Sequence, residues 1–178
     1  MSWRGIRGGT ALAAAAIAAL CSSVAHANGT ETLGVPDISL APGSGIAVGG
    51  VGLFEATDFG YSNLTGEISV SVPGNAVVQQ VLLYWISEFY PQTGPDATAT
   101  VNGFPVTGSS IGGPTNFFSV VYFEAFRADI TSLGLIAPGN NTLEIGAIDS
   151  SFRTTGAGVM VIYDDGSGSE LTIRDGLD

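Results

Sequence analysis

Apolar residues in this chain come in short segments that glycine, proline or asparagine soon interrupts. Residues 67–72 alternate apolar and polar side chains, which is typical of a strand with one buried and one wet face. Residues 81–86 and 158–163 are continuously apolar, which predicts central strands covered on both faces. Asn102-Gly103 favours a type I′ hairpin turn, because both central positions of that turn need positive φ. This pattern leaves no room for long helices.

The sequence therefore predicts an all-β fold: a jelly-roll-like β-sandwich of about nine short strands with Greek-key connections. Asp129 to Gly134 predicts one short helical turn, with Asp129 as the N-cap and Gly134 closing it. The strands are expected at residues 45–54, 67–72, 81–86, 97–101, 104–107, 117–127, 142–148, 158–163 and 171–173.

The first 27 residues have the pattern of a secretory signal peptide. Arg4 and Arg7 precede an apolar run over residues 11–20, and Ala25-His26-Ala27 is a small-x-small cleavage site. The run is too short for a stable membrane anchor, and an uncleaved anchor is the alternative. We expect cleavage after Ala27 and a secreted, extracellular or cell-surface protein. Residues 28–44 are then a loose polar lead-in, and residues 45–178 form a single sandwich domain.

Removal of the signal peptide changes the chemistry that the chain can perform. The chain after Ala27 has no cysteine, histidine or lysine, and its only cations are Arg127, Arg153 and Arg174. All 16 carboxylates remain, so the formal charge of −11 becomes two units more negative when Arg4 and Arg7 are lost. Cysteine or histidine nucleophiles, Ser-His-Asp triads, and zinc or copper sites built from cysteine or histidine are therefore excluded. Nucleic acids and anionic membrane surfaces are excluded as partners by the same charge balance.

Four stretches together resemble a known family: VLLYWISE at 81–88, ATVNGFPV at 99–106, FRADITSLG at 126–134 and GAGVMVIYDD at 156–165, with IRDGLD following. Their order is similar to that in an uncharacterised β-sandwich domain of exported bacterial and archaeal surface proteins. The resemblance covers about two thirds of the chain after Ala27. It implies a cell-surface or matrix module, and it implies no catalytic residue.

Oxygen ligands remain available for a hard cation such as calcium. Asp164, Asp165 and Glu170 bracket the sequence DDGSGSE and form the candidate calcium site. Their spacing differs from that of an EF-hand loop, and a solvated hairpin turn is the alternative. Asp149, Asp175 and Asp178 are further carboxylates that could join such a site if the fold brings strand ends together.

Aromatic residues in two loops are candidates for contact with a glycan or a protein surface. Glu88, Phe89 and Tyr90 lie in one loop bounded by proline and glycine, and Phe117 and Phe118 follow another glycine-rich loop. The alternative is that these loops fold back to cap the end of the sandwich. Trp85 is instead expected in the core, because its neighbours are apolar.

Two further interactions are open to the remaining charged residues. Arg127 and Asp129 lie two positions apart and are expected to form a local ion pair beside the helical turn, and an anion-binding role for Arg127 is the alternative. For an enzyme, Glu88 with Asp149 or Asp165 would be the pair of acid and base, although no spacing marks them as a pair.

The sequence thus favours an exported, surface-associated structural or recognition module, adhesion-like and able to bind carbohydrate, with a structural calcium as an option. One alternative is a carbohydrate-active enzyme that uses two carboxylates. The other is a subunit that self-assembles by strand addition at an open sheet edge.

Overall fold

A computed structural model describes residues 33–57, 60–63, 65–117, 120–148 and 153–177 of the 178-residue chain. The signal peptide lies outside the described residues, so export and cleavage stay predictions. The strands are β1 (Gly45–Gly52), β2 (Phe54–Thr57), β3 (Gly60–Asn63), β4 (Gly66–Val72), β5 (Val77–Phe89), β6 (Thr98–Val101), β7 (Phe104–Thr107), β8 (Ser109–Phe117), β9 (Val121–Asp129), β10 (Gly139–Gly146) and β11 (Arg153–Asp164). One 3-10 turn, Thr131–Leu133, follows β9.

Nine of these strands form the two antiparallel sheets of a sandwich. The five-stranded sheet has the order β1-β11-β5-β9-β8, and the four-stranded sheet has the order β4-β10-β6-β7. The pairs are nested along the chain: β1 with β11, β4 with β10, β5 with β9, and β6 with β7. Nested pairing across two sheets is the topology of a jelly roll, so the predicted fold class is confirmed. β8 extends one edge, and β2 and β3 form a separate hairpin.

The core lies between the facing sides of the two sheets. Trp85 on β5 is 2% exposed and stacks on Phe126 of β9, with ring centroids 5.6 Å apart. Ile68 and Leu143 from the four-stranded sheet are fully buried against this layer. The predicted core position of Trp85 is confirmed.

The outer face of the five-stranded sheet is also partly covered. Leu82 and Leu83 are adjacent on β5, and both are fully buried. Because successive side chains of a strand point to opposite faces, both faces of β5 are covered at this point. The described part of the lead-in provides cover, since a Cβ on Gly43 would lie 2.5 Å from Ile162 Cγ2. The predicted burial of β5 and β11 on both faces is therefore observed near these residues.

The turn residues act largely as their types predict. Asn102 and Gly103 have φ values of 49° and 79° between β6 and β7, as a type I′ hairpin requires. Gly134 closes the 3-10 turn with φ of 63°. The N-cap is Ile130 rather than Asp129, but the Asp129 carboxylate still accepts a hydrogen bond from the Thr131 N–H at 2.9 Å. No helix among the described residues is long and apolar enough to cross a membrane.

Three details of the predicted strand map are wrong. Residues 109–117 form β8, although their glycines and proline indicated a loop, and β9 begins only at Val121. Residues 171–173 are not a strand, and an isolated bridge between Gly34 and Asp175 joins the C-terminal segment to the lead-in. The hairpin of β2 and β3 had no counterpart in the prediction.

Candidate functional site

A groove of about 340 Å³ opens on the outer face of the five-stranded sheet. Strands β5, β8 and β11 and the C-terminal segment each contribute to it. The residues that shape it are Tyr84 and Ile86 on β5, Gly156 and Gly158 on β11, Ile111 on β8, and Leu177. We call this space the outer-face groove.

Glycines on β11 make the floor of the groove low. Gly156 pairs with Ile86, and Gly158 pairs with Tyr84, so each β5 side chain stands beside a position without a side chain. A Cβ on Gly156 would lie 2.6 Å from the Val51 carbonyl oxygen, so only glycine fits there. A Cβ on Gly158 would make an ordinary contact of 3.4 Å with the Gly49 carbonyl oxygen, so this position has room for a side chain and the groove exists because none is present.

Leu177 forms one wall because a glycine on β8 admits it. A Cβ on Gly112 would lie 2.6 Å from the Cβ of Leu177, so the leucine packs directly on the β8 backbone. The bridge between Gly34 and Asp175 holds the segment just before Leu177, with N–H to carbonyl distances of 2.9 and 3.1 Å. The wall therefore depends on both the lead-in and the C-terminal segment.

The groove has a polar end beside Ile111. A second depression of about 230 Å³ shares Ile111 and is lined by Asp37, Ser110 and Asp175 as well. The hydroxyl of Tyr84, which lines the main groove, donates a hydrogen bond to Asp175 Oδ2 at 3.4 Å. The apolar groove and the polar depression thus adjoin at Ile111.

Arg127 is the centre of the charge network below this polar end. It is 2% exposed, and it forms ion pairs with Asp37 and Asp175. Burial lowers the pKa of Arg127, but the hydrogen bonds and charges of Asp175 and Asp37 outweigh this and raise the pKa above its ordinary value. The two carboxylates bond to the two terminal nitrogens of the guanidinium, and the buried Nε has no hydrogen-bond partner within the described ranges. This network joins the lead-in and the C-terminal segment to β9.

Tyr84 stays protonated well beyond neutral pH. Burial and the negative charge of Asp175 raise the pKa of Tyr84 to about 12, although the positive charge of Arg127 opposes this. The phenol is therefore a neutral hydrogen-bond donor at the groove. Its ring offers an apolar surface beside Gly158.

Two other contacts hold the lead-in on the sheet. The Gln80 side chain accepts a hydrogen bond from the Ala41 N–H at 2.8 Å and donates one to the Ser39 carbonyl oxygen at 3.1 Å. It also donates to Asp129 Oδ2 on β9 at 2.7 Å. Burial raises the pKa of Asp129, but the hydrogen bonds from Gln80 and Thr131 outweigh it and lower the pKa. The predicted ion pair between Arg127 and Asp129 is wrong, since Arg127 contacts carboxylates 90 and 48 residues away instead.

The structure does not place Glu88 and Phe89, two of the predicted ligand-contact residues, in an exposed loop. Glu88 and Phe89 are the last residues of β5, with exposed fractions of 0% and 4%, and the Phe89 ring lies 6.0 Å from the ring of Tyr122. They are buried because β5 runs to Phe89 rather than ending before it. Tyr90 is half-buried and remains a candidate. Phe117 ends β8 and Phe118 lies outside the described residues, so their ligand contacts stay predictions.

The candidate calcium residues form a hydrogen-bonded turn at the end of β11. Asp165 Oδ1 accepts from the Ser44 hydroxyl at 2.7 Å and from the Ser167 N–H at 3.0 Å, and these bonds lower the pKa of Asp165. Asp164 accepts from the Gly166 N–H at 2.9 Å, and Glu170 is exposed. No group of three or more histidine, cysteine or acidic residues gathers as a metal site within the described part of the chain. The geometry fits a hydrogen-bonded turn, although not a hairpin, because no strand follows β11 within the described residues. Calcium binding stays a prediction.

The suggested acid and base are not brought together by the fold. Asp164 pairs with Val77 at the start of β5, whereas Glu88 lies near its end, so Asp165 and Glu88 lie at opposite ends of the sheet. Eleven strand residues at about 3.3 Å each put them roughly 35 Å apart, beyond the reach of any two-carboxylate mechanism. Asp149 lies outside the described residues.

Sequence reasoning missed Tyr84 and Asp37 as site residues, and it named Asp175 only as a carboxylate that could join a calcium site, not as a partner of Arg127. The scarcity of arginine was a usable signal, because it indicated that each arginine would be committed to a carboxylate. It did not indicate which carboxylate. No family model, curated protein or solved structure matches the chain, so the resemblance to exported surface domains stays a prediction.

Proposed function

We propose that this chain is an exported, surface-associated recognition module that binds a neutral carbohydrate in the outer-face groove. The observation that carries the proposal is a groove with an apolar floor and a polar end. Its volume of about 340 Å³ lies within the roughly 300–1,000 Å³ range of small-molecule sites. A sugar ring has an apolar C–H face and a rim of hydroxyls, so it fits a surface of this composition.

Tyr84 supports the proposal most directly. Its ring lies beside the glycine floor, where a sugar face can stack on it, and its neutral phenol is held by Asp175. Asp37 keeps 69% of its side chain exposed while it pairs with Arg127, so its carboxylate is accessible to a hydrogen bond from a hydroxyl group. These groups suit a ligand that donates hydrogen bonds.

The charge of the chain favours a neutral ligand over an acidic one. The formal charge is −11, and Asp37 and Asp175 line the polar end. Acidic sugars and phosphates would be repelled there. The absence of cysteine, histidine and lysine after Ala27 also favours binding over catalysis.

The test is a glycan array probed with the chain from Asn28 onward, followed by calorimetric titration of a neutral glycan that binds. Gly158→Val puts a side chain on the groove floor, where the Cβ has room. Gly50→Val is the matched control, because Gly50 pairs with Gly158 on the same sheet face but does not line the groove.

We expect Gly158→Val to weaken binding roughly tenfold or more, equivalent to at least about 1.4 kcal/mol, and Gly50→Val to change it less than about twofold. Equal binding by the two variants would contradict the proposal, and so would an array without any neutral ligand. Circular dichroism and melting curves confirm that both variants remain folded.

A further inference from the structure

The sandwich has four sheet edges, and three of them resist the addition of another strand. β8 contains two register shifts, and Pro114 within it has no N–H to donate. β7 has only four residues, and one of them is Pro105. On β4, Glu67 lies opposite Glu144, so an added strand would meet adjacent carboxylates. Bulges, short length, proline and charge are the usual means by which proteins block edge pairing.

β1 has none of these features. Its eight residues, GIAVGGVG, contain no charge and no proline, and they pair with β11 in unbroken register. Ile46 and Val48 are exposed by 44% and 64% on its outer face. Within the ranges that the structure describes, no strand pairs with the other edge of β1. An uncharged, regular edge of this length is a template for strand addition.

The backbone of β1 presents hydrogen-bonding groups along that free edge. The carbonyl oxygens of Gly49 and Val51 lie beside β11, within 3.4 and 2.6 Å of the ideal Cβ positions on Gly158 and Gly156. In an antiparallel pair, successive residues direct their N–H and C=O groups alternately toward and away from the partner. The N–H and C=O groups of Ile46, Val48 and Gly50 therefore face away from β11.

We propose that β1 pairs antiparallel with β1 of a second copy, which joins two five-stranded sheets into one continuous sheet. A two-fold axis at Ala47 sets Ile46 opposite Val48 of the second copy and covers both exposed apolar side chains. A second copy is the partner that fits this edge for two reasons. β1 carries no charge, so two copies of a strongly acidic chain can approach each other here without repulsion between charged side chains on β1. At this register the exposed apolar side chains of one β1 also lie opposite those of the other. Since the other three edges resist addition, the pairing closes as a dimer rather than continuing as a filament.

The dimer goes beyond the glycan proposal and does not depend on it. A two-fold axis perpendicular to a continuous sheet keeps the outer faces of both copies on the same side. The two outer-face grooves then face the same way, which gives a bivalent surface for a repetitive target.

The first test is a sedimentation series of the chain from Asn28 onward over a wide range of concentrations. We expect a reversible dimer, with twice the chain mass at high concentration. Val48→Pro removes one outward N–H and is expected to leave a monomer, because the bonds from β1 to β11 use the alternate residues. Val48→Thr keeps the N–H and the β-branched shape, and it is expected to dimerise like the unchanged chain.

A wild-type monomer at all concentrations, a filament, or a dimer that survives Val48→Pro would each overturn the proposal. A monomer is also the result expected if the chain's own segment before residue 33 covers β1 instead. The melting curve of Val48→Pro establishes whether the variant is folded.

A cross-linking test does not depend on the proline variant. The chain has no cysteine after Ala27, so Val48→Cys introduces its only thiol. Diagonal neighbours across two paired strands are about 7–8 Å apart, so a short bismaleimide should link the two copies at this position. Val77→Cys is the matched control, since Val77 is 60% exposed but lies on β5 rather than on β1. Equal cross-linking at the two positions would overturn the proposed register.

Discussion

The two carboxylates on Arg127 should differ sharply in their contribution to stability. Both form ion pairs with the same buried guanidinium. Their surroundings differ, because the side chain of Asp175 is 10% exposed and that of Asp37 is 69% exposed. Asp175→Ala and Asp37→Ala therefore compare a buried ion pair with a solvated one on a common partner.

The expected magnitudes follow from this burial. Removing one partner of a buried ion pair costs about 3–5 kcal/mol, because the remaining charge stays buried without compensation. We expect Asp175→Ala to cost about 3 kcal/mol, near the lower end, since Arg127 keeps Asp37. An exposed ion pair contributes about 0–1 kcal/mol, so Asp37→Ala should cost less than about 1 kcal/mol.

The assay is urea unfolding of the two variants and the unchanged chain at neutral pH, followed by fluorescence and circular dichroism. The free energies of unfolding are compared at equal m-values, so that a change in the unfolded state is not read as lost stability. A cost for Asp37→Ala equal to or above that for Asp175→Ala would refute the reasoning. A cost below about 1 kcal/mol for both variants would refute it as well.

Two further predictions concern the turn after β11 and the phenol at the groove. EDTA should leave the melting midpoint of the chain unchanged, because Ser44 and N–H groups of the turn already bond to Asp164 and Asp165. A midpoint that EDTA lowers and calcium restores would instead establish the calcium site. The pKa of Tyr84 is raised from 10.0 to about 12 in the folded chain, so folding favours the protonated phenol. This contribution to the free energy of unfolding is fully present below pH 10, and it is lost as the pH rises toward 12. The urea midpoint should therefore fall less over this range in Tyr84→Phe, and an equal fall in both chains would contradict the assignment.

The parts of the fold that were predictable rest on local pattern. β5 and β11 are marked by continuous apolar runs, and both lie inside the five-stranded sheet. The turn at Asn102 and Gly103 is marked by the residue types that accept positive φ. These features need only neighbouring residues, so the sequence is enough to predict them.

The parts that were missed depend on distant contacts. β8 contains Gly112, Gly113 and Pro114, which locally favour a loop, and pairing with β9 overrides that preference. Arg127 pairs with Asp37 and Asp175, which lie 90 and 48 residues away, so only the folded sheet brings them together. The outer-face groove arises from cross-strand pairs such as Gly158 with Tyr84, which no local pattern records.

The most direct test of the account is to map the bound glycan on the chain by amide chemical-shift changes in NMR. We predict that a neutral glycan shifts the amides of Tyr84, Ile111, Gly156 and Gly158 most strongly. Shifts that cluster instead at Tyr90 and the loop after β5 would contradict the outer-face groove as the binding site. They would support the loop that the sequence had favoured.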